Sequence, residues 1–151
     1  VVCNDHVPHA ALAAGKTPPR LAGQALRSGR SPEAHVKLLH QLHDNLAAVP
    51  TELPALAERL AAKGVQLGSH DDTTPDGRAW FRGIGARTAE FHMTLETAQA
   101  AKDAGDPVIL GAPNVMRGGS HNGNMSAEDA LRAGCCDILV SDYHYTSLRG
   151  A

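Results

Sequence analysis

The chain has 151 residues, is 42% hydrophobic and 20% charged, and carries a formal net charge of −2. These proportions are ordinary for a globular protein, and the charge gives no overall attraction to nucleic acid or to an anionic membrane. No apolar run approaches the ~18 residues of a membrane span, and the sequence shows no signal peptide. Cysteines number three, and Cys135 and Cys136 are adjacent. Neighbours in sequence rarely meet disulfide geometry, so all three are expected as free thiols in a reducing cytoplasm.

Val1-Val2-Cys3 reads as the end of a buried strand, stopped by the polar Asn4-Asp5-His6. A chain that opens inside a strand is expected to be part of a longer one. Residues 8–30 are rich in Pro, Gly, Ala and basic side chains and read as a long loop with room for a short helix. Ser31-Pro32-Glu33 is a helix start, with a hydroxyl cap, Pro at the first helical position and an acid in the first turn. Val36, Leu39, Leu42 and Leu46 follow at helical spacing. Pro50 is expected to interrupt, and Thr51-Glu52 to restart a helix that carries Leu53, Leu56 and Leu60 and ends at Gly64.

Residues 65–69 read as a short strand that runs into His70-Asp71-Asp72-Thr73-Thr74, and Pro75 begins a short helix. Ala89-Glu90-Phe91 is a brief strand. Thr94 caps a helix through Ala104, and Gly105 stops it. Residues 107–111 form a strand, followed by a glycine-rich polar loop over 112–125. Ser126-Ala127-Glu128-Asp129 resembles a capping box with Asp in the place of Glu or Gln, and its helix ends at Gly134. Residues 137–141 are the last strand, with Asp142 at its tip. Strands alternating with helices imply βαβ units and a parallel sheet; an open doubly wound sheet and a closed (β/α) barrel both fit.

In either architecture the C-terminal ends of the strands form the functional face. His or Asp falls at such a tip at His6, His70 and Asp142, and imidazole and carboxylate are ligands for a borderline divalent cation such as zinc or manganese. From spacing alone His6 reads either as a ligand or as a satisfied buried histidine. His70 with Asp71 and Asp72 reads either as a site or as a solvated turn, and Asp142 as a ligand or a cap. His35, His40 and His43 are expected at the surface, Cys135 and Cys136 as structural, and Arg20, Arg27 and Arg30 in a solvated loop. The glycines over 111–124 let backbone amides approach an anion, and Arg117 is a natural phosphate partner. The Gly-Lys-Ser/Thr ending of a Walker loop is absent.

Taken together and in this order, Asn4-Asp5-His6, Gly68-Ser69-His70-Asp71-Asp72-Thr73-Thr74-Pro75, Ala89-Glu90-Phe91, Gly111-Ala112-Pro113-Asn114, Arg117-Gly118-Gly119-Ser120-His121-Asn122-Gly123-Asn124 and Ser141-Asp142-Tyr143 resemble the PhnM hydrolases of the amidohydrolase superfamily. The resemblance runs across nearly the whole chain. It implies an α/β fold that is the C-terminal part, about five strands, of a metal-dependent hydrolase (β/α)8 TIM barrel. Such a barrel takes about 250 residues, so the N-terminal half would lie outside this chain. The superfamily's first-strand His-x-His pair is absent here. The pattern is broken at His92, where Pro is expected, and at His9-Ala10.

The resemblance further implies one or two divalent metals, zinc or manganese, with His6, His70, Glu90 and Asp142 as ligands. Asp142 and His70 would be catalytic, and Asn114, Arg117, Ser120 and His121 would bind a small phosphorylated substrate. The family's activity releases pyrophosphate from α-D-ribose 1-methylphosphonate 5-triphosphate in the carbon–phosphorus lyase pathway. No nucleic acid or membrane partner is expected, and a full-length form is open to homo-oligomerisation. Two other readings stand beside this one. One is an amidohydrolase acting on a C–N bond of a cyclic amide or amidine; the other is a non-catalytic scaffold subunit.

Overall fold

The computed structural model describes residues 1–119 and 123–151. They divide into two compact units, a larger one of Val1–Asn4 with Leu56–Ala151 and a smaller one of Asp5–Ala55. Among the described residues no helix is long and apolar enough to cross a membrane.

The larger unit is built on five parallel strands: β1 (Val2–Cys3), β2 (Leu67–His70), β3 (Ala86–Glu90), β4 (Val108–Gly111) and β5 (Ile138–Val140). Their spatial order is β1-β2-β3-β4-β5, all neighbours parallel. The order has no reversal. A doubly wound sheet has a switch point where the order turns back, whereas a barrel winds steadily in one direction. The sheet is therefore consistent with a segment of a barrel.

Between the strands run α5 (Pro75–Gly83), α6 (Leu95–Asp103), a short α7 (Ala112–Arg117) and α8 (Ala127–Arg132). Three of these starts are written in the sequence. Thr74 Oγ1 accepts from the Gly77 amide at 3.1 Å, Thr94 Oγ1 from Thr97 at 3.2 Å and Ser126 Oγ from Asp129 at 3.4 Å, satisfying donors that a helix start leaves open. α7 occupies the first half of what the sequence presents as loop, and Gly118, at φ 72°, closes it with a left-handed cap.

Strand alternation, with a register irregularity where Leu67 pairs with Ala86 and Gly68 with Thr88, sorts the side chains onto two faces. Ala89, Val108 and Leu110 point to the helices and pack with Ala98, Ala101, Ala127, Ala130 and Cys135. Leu67 and Ala86 pack with Ala57, Phe81 and Ile84 on the same side. The helix-side core is dominated by alanine, which lets helices ride close to the sheet. On the opposite face lie Gly68, His70, Thr88 and Glu90. Gly68 has no room for a side chain, since a Cβ there would lie 2.2 Å from Thr88 Oγ1.

In the smaller unit, residues 8–30 hold two helices where the sequence reads mostly as loop, α1 (His9–Ala13) and α2 (Leu21–Arg27). Neither begins with a side-chain cap, which is why the usual start signal is missing. α3 (Pro32–Asp44) starts as expected, with Ser31 Oγ accepting from the Ala34 amide at 3.2 Å. Leu12 of α1, Ala25 of α2 and Leu39 of α3 are buried apolar side chains of this unit. Pro50 does not break the chain of helices. A 3-10 turn over Leu46–Ala48 passes directly into α4 (Val49–Ala61), where Pro50 falls in the first turn and needs no amide partner.

The cysteines are free, and burial pushes the Cys135 and Cys136 thiols above their ordinary pKa. The reading of both as structural agrees with that, because the thiolate is the reactive form.

Asp137 joins the starts of β4 and β5. Its carboxylate accepts from the Val108 amide at 2.8 Å and pairs with Lys102. The bond from Lys102, followed by that from Val108, holds its carboxyl below the usual carboxylate range. A depressed carboxyl stabilises the fold fully above its unfolded value, about 3.9, and loses that contribution as pH falls through the folded value. Asp137→Asn should lower the melting temperature at pH 7, and the gap to wild type should shrink as pH is taken from about 4 downward. Thermal melts across that range check this; a gap independent of pH contradicts it.

Candidate metal centre

The pairing of β2 with β3 sets His70 directly beside Glu90. Both side chains point away from the helices and are partly buried. His70 Nδ1 lies 3.4 Å from Glu90 Oε2, and His70 Nε2 lies 3.6 Å from Asp71 Oδ1. One imidazole thus stands between two carboxylates. That is a donor set suited to a divalent cation, in which a histidine gives one nitrogen to the metal while a carboxylate orients the ring through the other.

The backbone at these strand ends is held in unusual conformations. Asp71, Phe91 and Asp142, just beyond β2, β3 and β5, have φ of 58°, 55° and 44°, in the left-handed region that L-residues seldom occupy. Non-glycine residues kept there cluster at functional sites. At Asp71 the conformation is fixed by its amide donating to the Glu90 carbonyl at 3.0 Å, and at Phe91 by its amide donating to the Ile109 carbonyl at 2.9 Å. The turn of Phe91 lays its ring against His70, with centroids 5.0 Å apart and planes at 59°. Gly111 sits at the next strand end. A Cβ on it would lie 3.1 Å from Phe91 Cε1 and 3.7 Å from Asp142 Cβ. Four neighbouring strand ends therefore form one rim: His70 with Asp71, Glu90 with Phe91, Gly111, and Asp142.

Of the residues singled out in the sequence, His70 and Glu90 are brought into contact. Asp142 is at the tip of β5, exposed, beside Gly111. His6 belongs to the smaller unit and is exposed. There, Asp5 Oδ2 bonds His9 Nε2 at 2.9 Å, and His9 Nδ1 faces His43 Nδ1 at 2.8 Å. Burial raises the Asp5 carboxyl, but the Val7 amide and His9 outweigh it and leave the pKa lowered. His43 is half-buried in this pair rather than on an open surface. Arg117 ends α7 and is exposed. The Asn114 amide donates to the Met125 carbonyl at 3.1 Å and accepts from the Ala127 amide at 3.0 Å, closing the loop between α7 and α8. Ser120 and His121 lie outside the described residues.

Two residues carry more than the sequence suggests. Asp71 is close enough to His70 to share a cation with it. Asp72 is buried, at 4% exposure, rather than solvated.

No family model matches the chain, and no solved structure matches it. Over 97 residues it is 42% identical to the alpha-D-ribose 1-methylphosphonate 5-triphosphate diphosphatase of Escherichia coli (strain K12). Over that stretch the chain is similar to a PhnM diphosphatase. The match takes in 64% of this chain and 26% of the relative, so the chain spans about a quarter of the PhnM protein's length. The resemblance read from the strand-end motifs is the one the comparison returns.

The contacts at the rim make Gly111 sensitive to size. Gly111→Val should push the Phe91 ring onto His70. The His70 imidazole NMR resonances should shift in the variant while the melting temperature falls only modestly. Unmoved resonances would show that Phe91 does not transmit the strain.

Proposed function

We propose that this chain forms the C-terminal part of a (β/α)8 barrel hydrolase that binds a divalent cation at its strand ends and releases pyrophosphate from α-D-ribose 1-methylphosphonate 5-triphosphate. The observation that carries the reading is His70 set between Glu90 and Asp71 at the tip of β2. The PhnM relationship supports the substrate class, and the three free thiols fit a reducing compartment.

The residues present fit a cation. His70 offers one nitrogen while Glu90 or Asp71 holds the other, and Asp142 adds a carboxylate from the same rim. Zinc and manganese both suit this mixture of nitrogen and oxygen donors. When bound, the cation supplies Lewis acidity, lowering the pKa of a coordinated water from about 15.7 toward about 7 and offsetting phosphoryl charge.

The protein's own groups do the rest. Asp142 Oδ accepts the proton of the attacking water and returns it to the departing pyrophosphate. Held at φ 44°, its backbone is committed to one direction, as a group that must meet a proton at a fixed place requires. Arg117 binds the departing phosphate oxygens with its planar fork, and Asn114, on the same helix α7, ties that helix to the start of α8. Phe91 covers one side of His70 and keeps water from competing for the imidazole.

The test compares two substrate classes in the full-length protein. Pyrophosphate should be released from the ribose triphosphate, and Asp142→Asn should lower kcat by about 10²-fold or more with little change in KM. Turnover of a cyclic amide without pyrophosphate release would instead favour C–N hydrolysis. Absence of turnover on either class would favour a scaffold subunit.

A further inference from the structure

We infer that Arg78 is a positioning residue for the strand-end site, holding the His70-Asp71-Asp72 turn from the helix side of the sheet. The inference rests on the proposed reading of His70 as a cation ligand.

Arg78, on α5, is 1% exposed and is among the largest fully buried side chains. A guanidinium does not leave water without partners, and these partners are specific. Its Nη1 donates to Ser69 Oγ and lies 3.3 Å from Asp72 Oδ2, while Ser69 Oγ itself donates to Asp72 Oδ2 at 2.5 Å. Its Nη2 donates to the Ala86 carbonyl and lies 3.4 Å from Asp106 Oδ2. Arg82 brings a second cation to Asp106. Two guanidinium groups and two carboxylates thus offset one another inside the unit. His92, its side chain fully buried, stands 3.8 Å from Asp72.

Placement gives the cluster its meaning. Ser69 and Asp72 bracket His70 and Asp71 in the chain. Their side chains turn to Arg78 on the helix side, while His70 turns to Glu90 on the other. The turn's backbone is tied to the end of β3 by the Asp71 amide on the Glu90 carbonyl and by the Met93 amide on the Asp72 carbonyl at 3.1 Å. Arg78 therefore fixes the side chains on both flanks of the left-handed Asp71, and through them the direction of His70. Stability alone does not account for such a cluster, since apolar replacements of a buried ion group often leave a protein as stable or more so. A fork that spans Ser69, Asp72, Ala86 and Asp106 does account for it, because it locks β2, β3 and the entry to β4 in one register.

The test uses the full-length protein and three readouts: zinc and manganese affinity by calorimetry, the His70 imidazole resonances in metal-free protein, and the melting temperature. Arg78→Lys keeps the charge and loses the fork. It should weaken metal binding by about tenfold or more, the usual effect of losing a partner behind a ligand, and should shift the His70 resonances before any metal is added. Asp72→Asn, which keeps the shape and removes the charge, should do the same if Arg78→Lys does not fold. Ala130→Gly, in the α8 side of the core, should lower the melting temperature and leave affinity and resonances unchanged. Metal affinity and His70 resonances at wild-type values in both Arg78→Lys and Asp72→Asn would overturn the inference while the cation reading stands. No metal uptake by the wild-type protein would remove the cation reading, and the role of Arg78 toward it as well.

Discussion

The site depends on one register. β2 and β3 run parallel with His70 beside Glu90, and because side chains alternate, a slip of one residue would turn His70 to the helices and Ser69 to the rim. Two features hold the register. Gly68 leaves space on the rim side only for Thr88, so no other residue of β2 can take its place there. Arg78 reaches from Ser69 to Ala86 on the helix side, bonding both strands at once. The chemistry on one face is thus set by packing and charge on the other.

The polarity of the two faces follows the same division. The helix side is filled with alanine, valine and leucine, and the buried Arg78-Arg82-Asp72-Asp106 cluster carries equal numbers of positive and negative groups. The rim side collects imidazole and carboxylate at strand ends whose backbones are held at positive φ. His92 lies on the boundary. Burial pushes its imidazole below the ordinary pKa, with Asp72 drawing it back up and Arg78 driving it down again. It is thus neutral at pH 7 and adds no charge to the cluster.

Much of the fold was legible where local chemistry decides conformation. Ser31, Thr94 and Ser126 each cap the helix expected of them, and Thr74 caps the helix expected to begin at Pro75, because a hydroxyl before a helix acts on amides only two or three residues away. Four of the strands were legible as short apolar runs, and their ends as the places where polar residues begin; β3 (Ala86–Glu90) was read only over its last residues, because Arg87 and Thr88 leave no apolar run. What stayed hidden was decided at a distance. α1 and α2 have no side-chain caps, so nothing local marks their starts, and α7 is a helix amid glycines and a proline that favour a loop. Pro50 was misread because a proline in a first helical turn differs from an interrupting one only in where the helix begins.

The site shows the same limit. His70 could be picked out because it stands at a strand end. Glu90 came from family resemblance, since only the β2–β3 register puts it beside His70. Asp72 read either as part of a site or as a solvated turn, and nothing in the sequence tied it to Arg78, whose burial depends on the packing of α5 against two strands. Metal content of the full-length protein, by mass spectrometry on wild type and His70→Ala purified alike, tests the account most directly. Near-stoichiometric zinc or manganese in the wild type and its loss in His70→Ala is the predicted result. Equal metal content in the two proteins, or none in the wild type, would contradict it.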